Sequence, residues 1–298
     1  MEDIKKNSLK AFILAARPKT LPASITPVIV GCSLAFAYGQ FKWIPALICL
    51  VFAVLVQIVS NMANDYFDFV KGSDDEERLG PARACASGWI DPPLMLRAAL
   101  VVLVIAIFIG LILVAYGGWN LIWLGLAIAV FAFAYSAGPY PLAYHGWGDV
   151  CVLLFYGIVP VGFTFYVQAL SWTLPATVAA FSVGLASINI LVVNNYRDRY
   201  GDKKSGKKTS VVIWGEKFAE YFYLANGLVA VCLCSYFGAA EGLWWATILP
   251  LLYLIPHIQT WKAICEVKEG KGLNKYLGKT ALNVLIFGLL LSIGLLIG

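Results

Sequence analysis

The sequence predicts an all-α, polytopic membrane protein with nine transmembrane helices in one bundle and a cytoplasmic N-terminus. Its 298 residues are 60% hydrophobic and only 13% charged, with a mean hydropathy of +0.78. This composition leaves too little polar surface to cover a water-soluble domain of this size. Nine apolar segments approach the roughly 20 residues that a helix needs to cross a bilayer.

Each predicted span is a long apolar run bounded by polar or turn-forming residues. The spans are residues 21–39, 43–64, 94–116, 119–137, 149–170, 174–196, 218–239, 242–261 and 277–297. Pro18, Pro22 and Pro27 allow a bent start to the first span, because proline interrupts helical hydrogen bonding. No low-complexity linker separates the spans, so residues 1–298 are expected to form a single transmembrane domain.

The basic residues are distributed very unevenly between the predicted loops. With the N-terminus inside, 21 of the 22 Lys and Arg residues fall in inner segments, and only Lys42 lies outside. Cytoplasmic loops collect Lys and Arg, so this partition predicts an odd number of spans and places both polar motifs described below at the cytoplasmic face. Basic loops beside anionic membrane lipid also account for the net charge of +5, and we expect no nucleic acid partner.

The first polar motif closes the second predicted span. Asn64 and Asp68 are four residues apart and Asp65 lies three before Asp68, so all three side chains can share one helix face. Asp74 and Asp75 follow shortly after. Ionisable side chains at the edge of lipid are costly, and they usually hold an ion, a proton path or a charged substrate.

The second polar motif closes the sixth predicted span with a similar spacing. Asn194, Asp198 and Asp202 recur every four residues, and Asn195 lies three before Asp198. Two oxygen-rich helix ends at one membrane face can together bind a hard cation and a diphosphate.

Oxygen ligands of this kind suit Mg²⁺, which keeps several waters and shares its coordination shell with substrate phosphates. The predicted metal ligands are Asn64, Asp65, Asp68, Asp74, Asp198 and Asp202, and the choice between Asp74 and Asp75 stays open. The predicted catalytic residues are Asp65, Asp68, Asp198 and Asp202. Polar and basic side chains near both motifs can bind the diphosphate, and these are Asn64, Lys71, Arg78, Arg83, Asn195, Arg197, Lys203, Lys207 and Lys208.

Both motifs resemble signatures of the UbiA-type intramembrane prenyltransferases. Residues 64–83 read NDYFDFVKGSDDEERLGPAR and resemble the NDxxD signature, whereas residues 194–209 read NNYRDRYGDKKSGKKT and resemble the DxxxD signature. Together with RPKTLP at 17–22 and GPYPL at 138–142, they are most similar to the branch that prenylates 1,4-dihydroxy-2-naphthoate in menaquinone biosynthesis. The chain departs from the usual first motif at Gly72, where a further carboxylate is expected.

The resemblance implies a Mg²⁺-dependent aromatic prenyltransferase of the bacterial cytoplasmic (inner) membrane, with its active site facing the cytoplasm. Its substrates would be polyprenyl diphosphate and 1,4-dihydroxy-2-naphthoate, and demethylmenaquinone would form with loss of carbon dioxide and pyrophosphate. The aromatic and prenyl pocket is expected to include Arg17, Lys19, Phe67, Tyr135, Tyr140 and Asn194. Arg17, Lys19 and Arg83 are candidates for binding the carboxylate of the aromatic acceptor.

Three alternatives stay open from the sequence. Within the enzyme class, the acceptor can be another quinone precursor such as 4-hydroxybenzoate. An ion-coupled secondary transporter can use the same four aspartates as a proton or sodium path, although transporter sites usually lie near mid-membrane between repeats. A purely structural role gives no reason for two matched acidic motifs.

Overall fold

The structure, a computed structural model, describes residues 4–72 and 79–298, and its regular elements in these ranges are all helices. The expected all-α class is therefore confirmed. In chain order the helices are α1 (Leu9–Ala16), α2 (Leu21–Ala37), α3 (Trp43–Val70), α4 (Pro92–Gly117), α5 (Asn120–Ala134), α6 (Gly148–Ala169), α7 (Leu174–Lys204), α8 (Ser210–Glu241), α9 (residues 244–267) and α10 (Leu273–Ile297).

Seven segments of the described ranges are long and apolar enough to cross a membrane: α1 with α2, α3, α4, α6, α7, α8 and α10. By these criteria the prediction of nine spans is wrong. Helix α5 has 15 residues and is about 22 Å long, less than the roughly 30 Å of a hydrocarbon core. Helix α9 is divided by a 3₁₀ segment, Leu249–Tyr253, that contains Pro250. A hydropathy scan counts apolar residues but does not detect such breaks in helical continuity.

The N-terminal part of the chain bends where the prolines predict it. Helix α1 ends at Arg17, whose φ of 53° is left-handed, and a single 3₁₀ turn, Pro18–Thr20, leads into α2. Pro27 lies inside α2. The bend directs the Arg17 side chain towards the end of α3, where its guanidinium Nη2 lies 3.9 Å from Oδ2 of Asp65.

The largest buried apolar cluster lies where α2, α6, α7, α8 and α10 meet. Leu34, Phe165 and Phe287 are at most 1% exposed within it. Helices α6 and α7 approach so closely at Gly157 that a Cβ there would lie 2.5 Å from the carbonyl oxygen of Ala180. Small residues permit such close packing of membrane helices. This packing fixes the long α7, which carries the second polar motif at its C-terminal end.

Candidate active site

Asp65 is buried at the end of α3 and holds the loop that leads to α4. It is 2% exposed, and its two carboxylate oxygens accept hydrogen bonds from the backbone N–H groups of Ala84 and Cys85, each at 2.9 Å. Arg17 adds a positive charge at 3.9 Å. Hydrogen bonds to an ionised acceptor are the stronger ones. Asp65 therefore fixes the position of residues 83–85 against α3.

Asp68 lies one turn further along α3 and forms an ion pair with Arg83 of this loop. Nη2 of Arg83 donates to Oδ2 of Asp68 at 3.0 Å, and both side chains are largely buried. On the same face, Oδ1 of Asn64 accepts a hydrogen bond from the Ser136 hydroxyl at 2.5 Å. The first motif thus contacts both the loop before α4 and the segment after α5.

The second motif is organised around Arg197, which is 1% exposed. Its guanidinium donates to both carboxylate oxygens of Asp198, at 2.8 and 2.5 Å, and to the side-chain oxygens of Asn194 and Asn274, each at 2.8 Å. The fork geometry of arginine fits a carboxylate in this bidentate way. Arg197 was predicted to bind diphosphate, but in the structure these protein acceptors engage its donors, and it fixes the orientation of Asp198.

The two motifs approach each other through their lysines. Nζ of Lys207 lies 3.7 Å from Oδ1 of Asp202, while Nζ of Lys71 donates to the carbonyl oxygen of Ser136 at 2.5 Å. Partial burial lowers the pKa of Lys71, an effect that the nearby Asp68 opposes and that the like charge of Lys207 reinforces. Each lysine thus interacts with a carboxylate of its own motif, and the charges of the two lysines repel each other.

A single cavity of about 1200 Å³ joins the two motifs. Most of the predicted site residues line it: Arg17, Lys19, Asn64, Asp65, Asp68, Arg83, Tyr135, Asn194, Asn195, Asp198, Asp202 and Lys207. Asp68 and Asp202 are also close enough for a direct electrostatic interaction. Carboxylates from the ends of two helices that are far apart in the sequence therefore face one cavity, as the helix ends predicted.

Six of the predicted site residues that the structure describes are not part of the cavity lining. Phe67 packs its ring against Phe133, at a centroid distance of 6.3 Å, and Tyr140 is 55% exposed and stacks on His145. Besides these two and Arg197, the residues outside the described lining are Lys71, Lys203 and Lys208. Three further predicted or candidate residues, Asp74, Asp75 and Arg78, lie outside the residues that the structure describes.

Away from the aspartates, the cavity becomes apolar after a belt of uncharged polar groups. The Tyr156 hydroxyl donates to Gln57 at 2.6 Å, Gln57 donates to Asn61 at 3.1 Å, and Asn61 donates to the Thr20 hydroxyl at 3.0 Å. Beyond the belt the walls are aliphatic and aromatic, and they include Phe52, Ile107, Leu111, Leu126, Phe131, Phe155 and Phe163. The cavity therefore offers a charged end, a narrow polar zone and a long apolar end.

Several residues of this site were missed by the motifs. Ser136 and Asn274 bond to motif residues from distant segments, and their sequence neighbourhoods give no signal for it. Gln57 and Asn61, by contrast, are polar residues four apart in an otherwise apolar helix. That spacing places them on one face and marks them as pocket candidates.

The carboxylate oxygens that line the cavity suit a Mg²⁺ ion that the protein and a substrate bind jointly. Within residues 4–72 and 79–298, no three Asp, Glu, His or Cys side chains are close enough to hold one ion by themselves. Mg²⁺ commonly uses one or two carboxylates, with waters and substrate phosphates completing its octahedral shell. Asp68, Asp198 and Asp202 all line the cavity, and carboxylates are the protein ligands that such coordination uses.

Comparison with known proteins decides the family. The model of the UbiA prenyltransferase family matches residues 24–273. The chain belongs to this family. Family membership, together with the apolar helices, makes it an integral membrane protein and a prenyltransferase, which argues against the transporter and scaffold alternatives.

Relatives with assigned names cover nearly the whole chain. The 1,4-dihydroxy-2-naphthoate octaprenyltransferase of Escherichia coli (strain K12) is 34% identical over 96% of this chain and 95% of its own length. The protein of the same name from Bacillus subtilis (strain 168) is 31% identical over 94% of this chain and 90% of its own.

Solved structures share the fold. A UbiA homolog from Archaeoglobus fulgidus bound to DMAPP and Mg²⁺ superposes with a TM-score of 0.65 at 16% identity, covering 95% of this chain and 99% of that one. The same homolog bound to GPP and Mg²⁺ gives a TM-score of 0.66 at 17% identity, with 95% and 99% covered. At this level of identity the likeness concerns the fold.

Proposed function

We propose that this protein transfers a polyprenyl group from polyprenyl diphosphate to 1,4-dihydroxy-2-naphthoate, with loss of carbon dioxide and pyrophosphate, to give demethylmenaquinone in its reduced, quinol form. The observation that carries the proposal is the single cavity in which both aspartate motifs meet at one end of a long apolar space. Its shape matches a substrate with a highly charged head and a hydrocarbon tail. The names of the relatives from E. coli and B. subtilis support the choice of acceptor.

The polar end of the cavity would bind the diphosphate. Asp68, Asp198 and Asp202, with Asn64, would hold Mg²⁺, which supplies positive charge to the leaving pyrophosphate. Asp65 completes the proposed catalytic set by fixing the loop of Arg83 through its backbone hydrogen bonds. Arg83 and Lys207 line the same end of the cavity and would contribute positive charge there.

The apolar end would take the prenyl tail and protect the reactive carbon. When the C1–O bond of the allylic diphosphate breaks, both bonding electrons leave with pyrophosphate and an allylic cation forms. Aromatic faces stabilise such a cation, and Tyr135, Phe131 and Phe155 all line the cavity. Exclusion of water there prevents hydrolysis of the cation.

The acceptor would place its carboxylate near the positive charges of the α1–α2 bend. Arg17 and Lys19 line the cavity beside the polar belt of Gln57, Asn61 and Tyr156. The ring carbon that bears the carboxylate attacks the prenyl cation and forms the new C–C bond. The carboxylate then leaves as carbon dioxide, and its bonding electrons restore the aromatic ring of the quinol, so this step needs no external base. Oxidation of the quinol by two electrons to demethylmenaquinone is a separate, later step.

The location of the reaction is also proposed. The distribution of Lys and Arg supports a cytoplasmic N-terminus and an active site that faces the cytoplasm of a bacterial inner membrane. Such an orientation gives soluble naphthoate and Mg²⁺ access to the charged end while the prenyl chain enters from lipid. Labelling of single cysteines introduced at Lys42 and Lys208 in intact cells and inverted vesicles tests it, since only the second should react from the cytoplasmic side.

The proposed activity is tested with purified protein in lipid nanodiscs. Polyprenyl diphosphate is supplied with either carboxyl-labelled dihydroxynaphthoate or carboxyl-labelled 4-hydroxybenzoate, and prenylated product, pyrophosphate and labelled carbon dioxide are all measured. We expect product and carbon dioxide in equal amounts with the naphthoate and none with the benzoate. Prenylated hydroxybenzoate that retains its carboxylate would show the other acceptor class, and no pyrophosphate release with either ring would contradict the enzyme function.

Substitutions then test the residues. Asp68→Ala, Asp198→Ala and Asp202→Ala should each lower turnover by about a hundredfold or more, because each removes a carboxylate that would hold Mg²⁺, the cation that stabilises the leaving group. The variants should still insert into the membrane and elute as the wild-type protein does. Near-normal turnover in two or more of them would contradict the site assignment.

A further inference from the structure

Tyr144 lies between the two motifs and contacts a lysine from each. Nζ of Lys71, just after the first motif, is 4.8 Å from the centroid of the Tyr144 ring, and Nζ of Lys207, just after the second, is also 4.8 Å from it. Both distances are within the range of a cation–π interaction. One aromatic ring therefore contacts two cations that are far apart in the sequence.

The backbone around Tyr144 is fixed by hydrogen bonds. The N–H of Ala143 donates to the carbonyl oxygen of Tyr135 at 3.0 Å, and the N–H of Tyr144 donates to that of Pro141 at 3.0 Å. The carbonyl oxygen of Tyr144 accepts a bond from the N–H of Lys208 at 2.9 Å. The ring thus has a defined position, whereas lysine side chains lose considerable rotamer entropy when they are ordered.

The two ammonium groups are held close despite their like charge. Each also lies near a motif carboxylate: Lys207 is 3.7 Å from Asp202, and the charge on Asp68 acts on Lys71. The electron-rich face of an aromatic ring offsets part of the repulsion between such cations. A polyanion that enters between the motifs removes the rest of that repulsion and pairs with both ammonium groups.

We propose that Tyr144 is a positioning residue that preorders Lys71 and Lys207 as a pair for the diphosphate of the prenyl donor. This inference rests on the proposed function, since it assigns a ligand to the same cavity end. Preordering lowers the entropy cost of binding. Tyr144 itself need not touch the substrate.

The test compares Tyr144→Leu with Tyr144→Phe, because only phenylalanine keeps the aromatic face. Tyr276→Leu is the matched control, since Tyr276 carries the Lys279 ammonium over its ring, 5.5 Å from the centroid, whereas the two motif lysines lie over Tyr144. The KM for polyprenyl diphosphate, kcat and the affinity for an unreactive prenyl thiodiphosphate are measured with saturating Mg²⁺. Lys71→Gln is combined with each Tyr144 variant.

Tyr144→Leu should raise the KM and the thiodiphosphate Kd by roughly fivefold to thirtyfold, the loss of up to two cation–π contacts, with kcat little changed. Tyr144→Phe and Tyr276→Leu should stay within about twofold of the wild type. In the Lys71→Gln background the effect of leucine should shrink, because one of the two contacts is already gone. A KM and Kd for Tyr144→Leu equal to those of Tyr144→Phe would overturn the inference.

The outcomes separate this inference from the proposed function. If the wild type binds the thiodiphosphate but transfers no prenyl group to naphthoate, the proposed function is contradicted. The binding data then still test the positioning role of Tyr144. If the wild type does not bind the thiodiphosphate at all, the lysine pair has no such ligand and the inference is refuted. Should Tyr144→Leu fail to elute as a folded protein, Tyr144→Met replaces it as the non-aromatic variant of similar length.

Discussion

Replacing Asp65 by asparagine should release the loop that carries Arg83, although the two side chains have nearly the same shape. Asp65 accepts one backbone N–H on each carboxylate oxygen, from Ala84 and Cys85. Asparagine keeps one acceptor oxygen and presents an NH₂ group where the second one was. One of the two amides then faces a donor instead of an acceptor, in a site that is almost fully buried.

The size of the effect follows from the bonds that are lost. A hydrogen bond to a charged acceptor contributes about 1.5–3 kcal/mol, and a buried donor left unsatisfied costs about 1–3 kcal/mol. The remaining bond also weakens, because its acceptor is now neutral. We therefore expect the free energy of opening the loop to fall by about 3 kcal/mol, which corresponds to a roughly hundredfold change in the opening equilibrium.

Hydrogen exchange followed by mass spectrometry in nanodiscs measures this directly at the amides of Ala84 and Cys85. Asp198→Asn is the control, since it makes the same chemical change in the other motif and has no contact with this loop among the described residues. Both variants should lose turnover, but only Asp65→Asn should speed exchange at residues 84 and 85. Unchanged exchange in Asp65→Asn would refute the view that this carboxylate holds the loop.

Three other outcomes follow from the same geometry. Arg197→Lys keeps the charge but loses the two-pronged hydrogen bonding to Asp198 and the hydrogen bond to Asn274. The free energy of unfolding should therefore fall by about 2–4 kcal/mol, measured as a lower thermal unfolding temperature in detergent. An unchanged unfolding temperature would contradict the positioning role. Gly157→Ala inserts a methyl group against the backbone of Ala180 and Gly184 and should cost about 1–3 kcal/mol of stability, measured by the same melt, while the KM values stay the same. Removal of Mg²⁺ with EDTA should abolish turnover and leave the circular dichroism spectrum unchanged, because apolar side chains pack the described core and no three Asp, Glu, His or Cys side chains of the described residues are placed to hold an ion. A loss of helical signal would show a structural metal instead.

The helical class and most spans could be predicted because lipid imposes a simple rule. A long apolar segment must satisfy its own backbone hydrogen bonds, so it becomes a helix wherever it crosses the bilayer. Predicted segments such as 43–64 and 174–196 correspond to the long helices α3 and α7. The two segments that were counted as spans but do not meet the criteria, α5 and α9, differ in helix length and continuity, which depend on local breaks such as that at Pro250.

The motifs also predicted much of the site, since residues three or four apart on a helix share a face. The pairing partners of those residues were not predictable. Asp65 faces backbone amides that come 19 and 20 residues later, and Arg197 reaches Asn274 on α10. Tyr140 was expected in the pocket, yet it lies on the outer side of its loop, because the turn at Leu142–Tyr144 directs Tyr144 towards the lysines.

The sequence by itself determined that the chain is a helical membrane protein with oxygen-rich ends on two of its long helices, because hydropathy and helical periodicity are local properties. Only the tertiary structure decided that these ends share one cavity, that Arg197 forms an ion pair with Asp198, and that the Tyr144 ring contacts two lysines. Such contacts join residues that are far apart in the chain, and they arise from how α3, α7 and α10 pack. No spacing along the sequence encodes them.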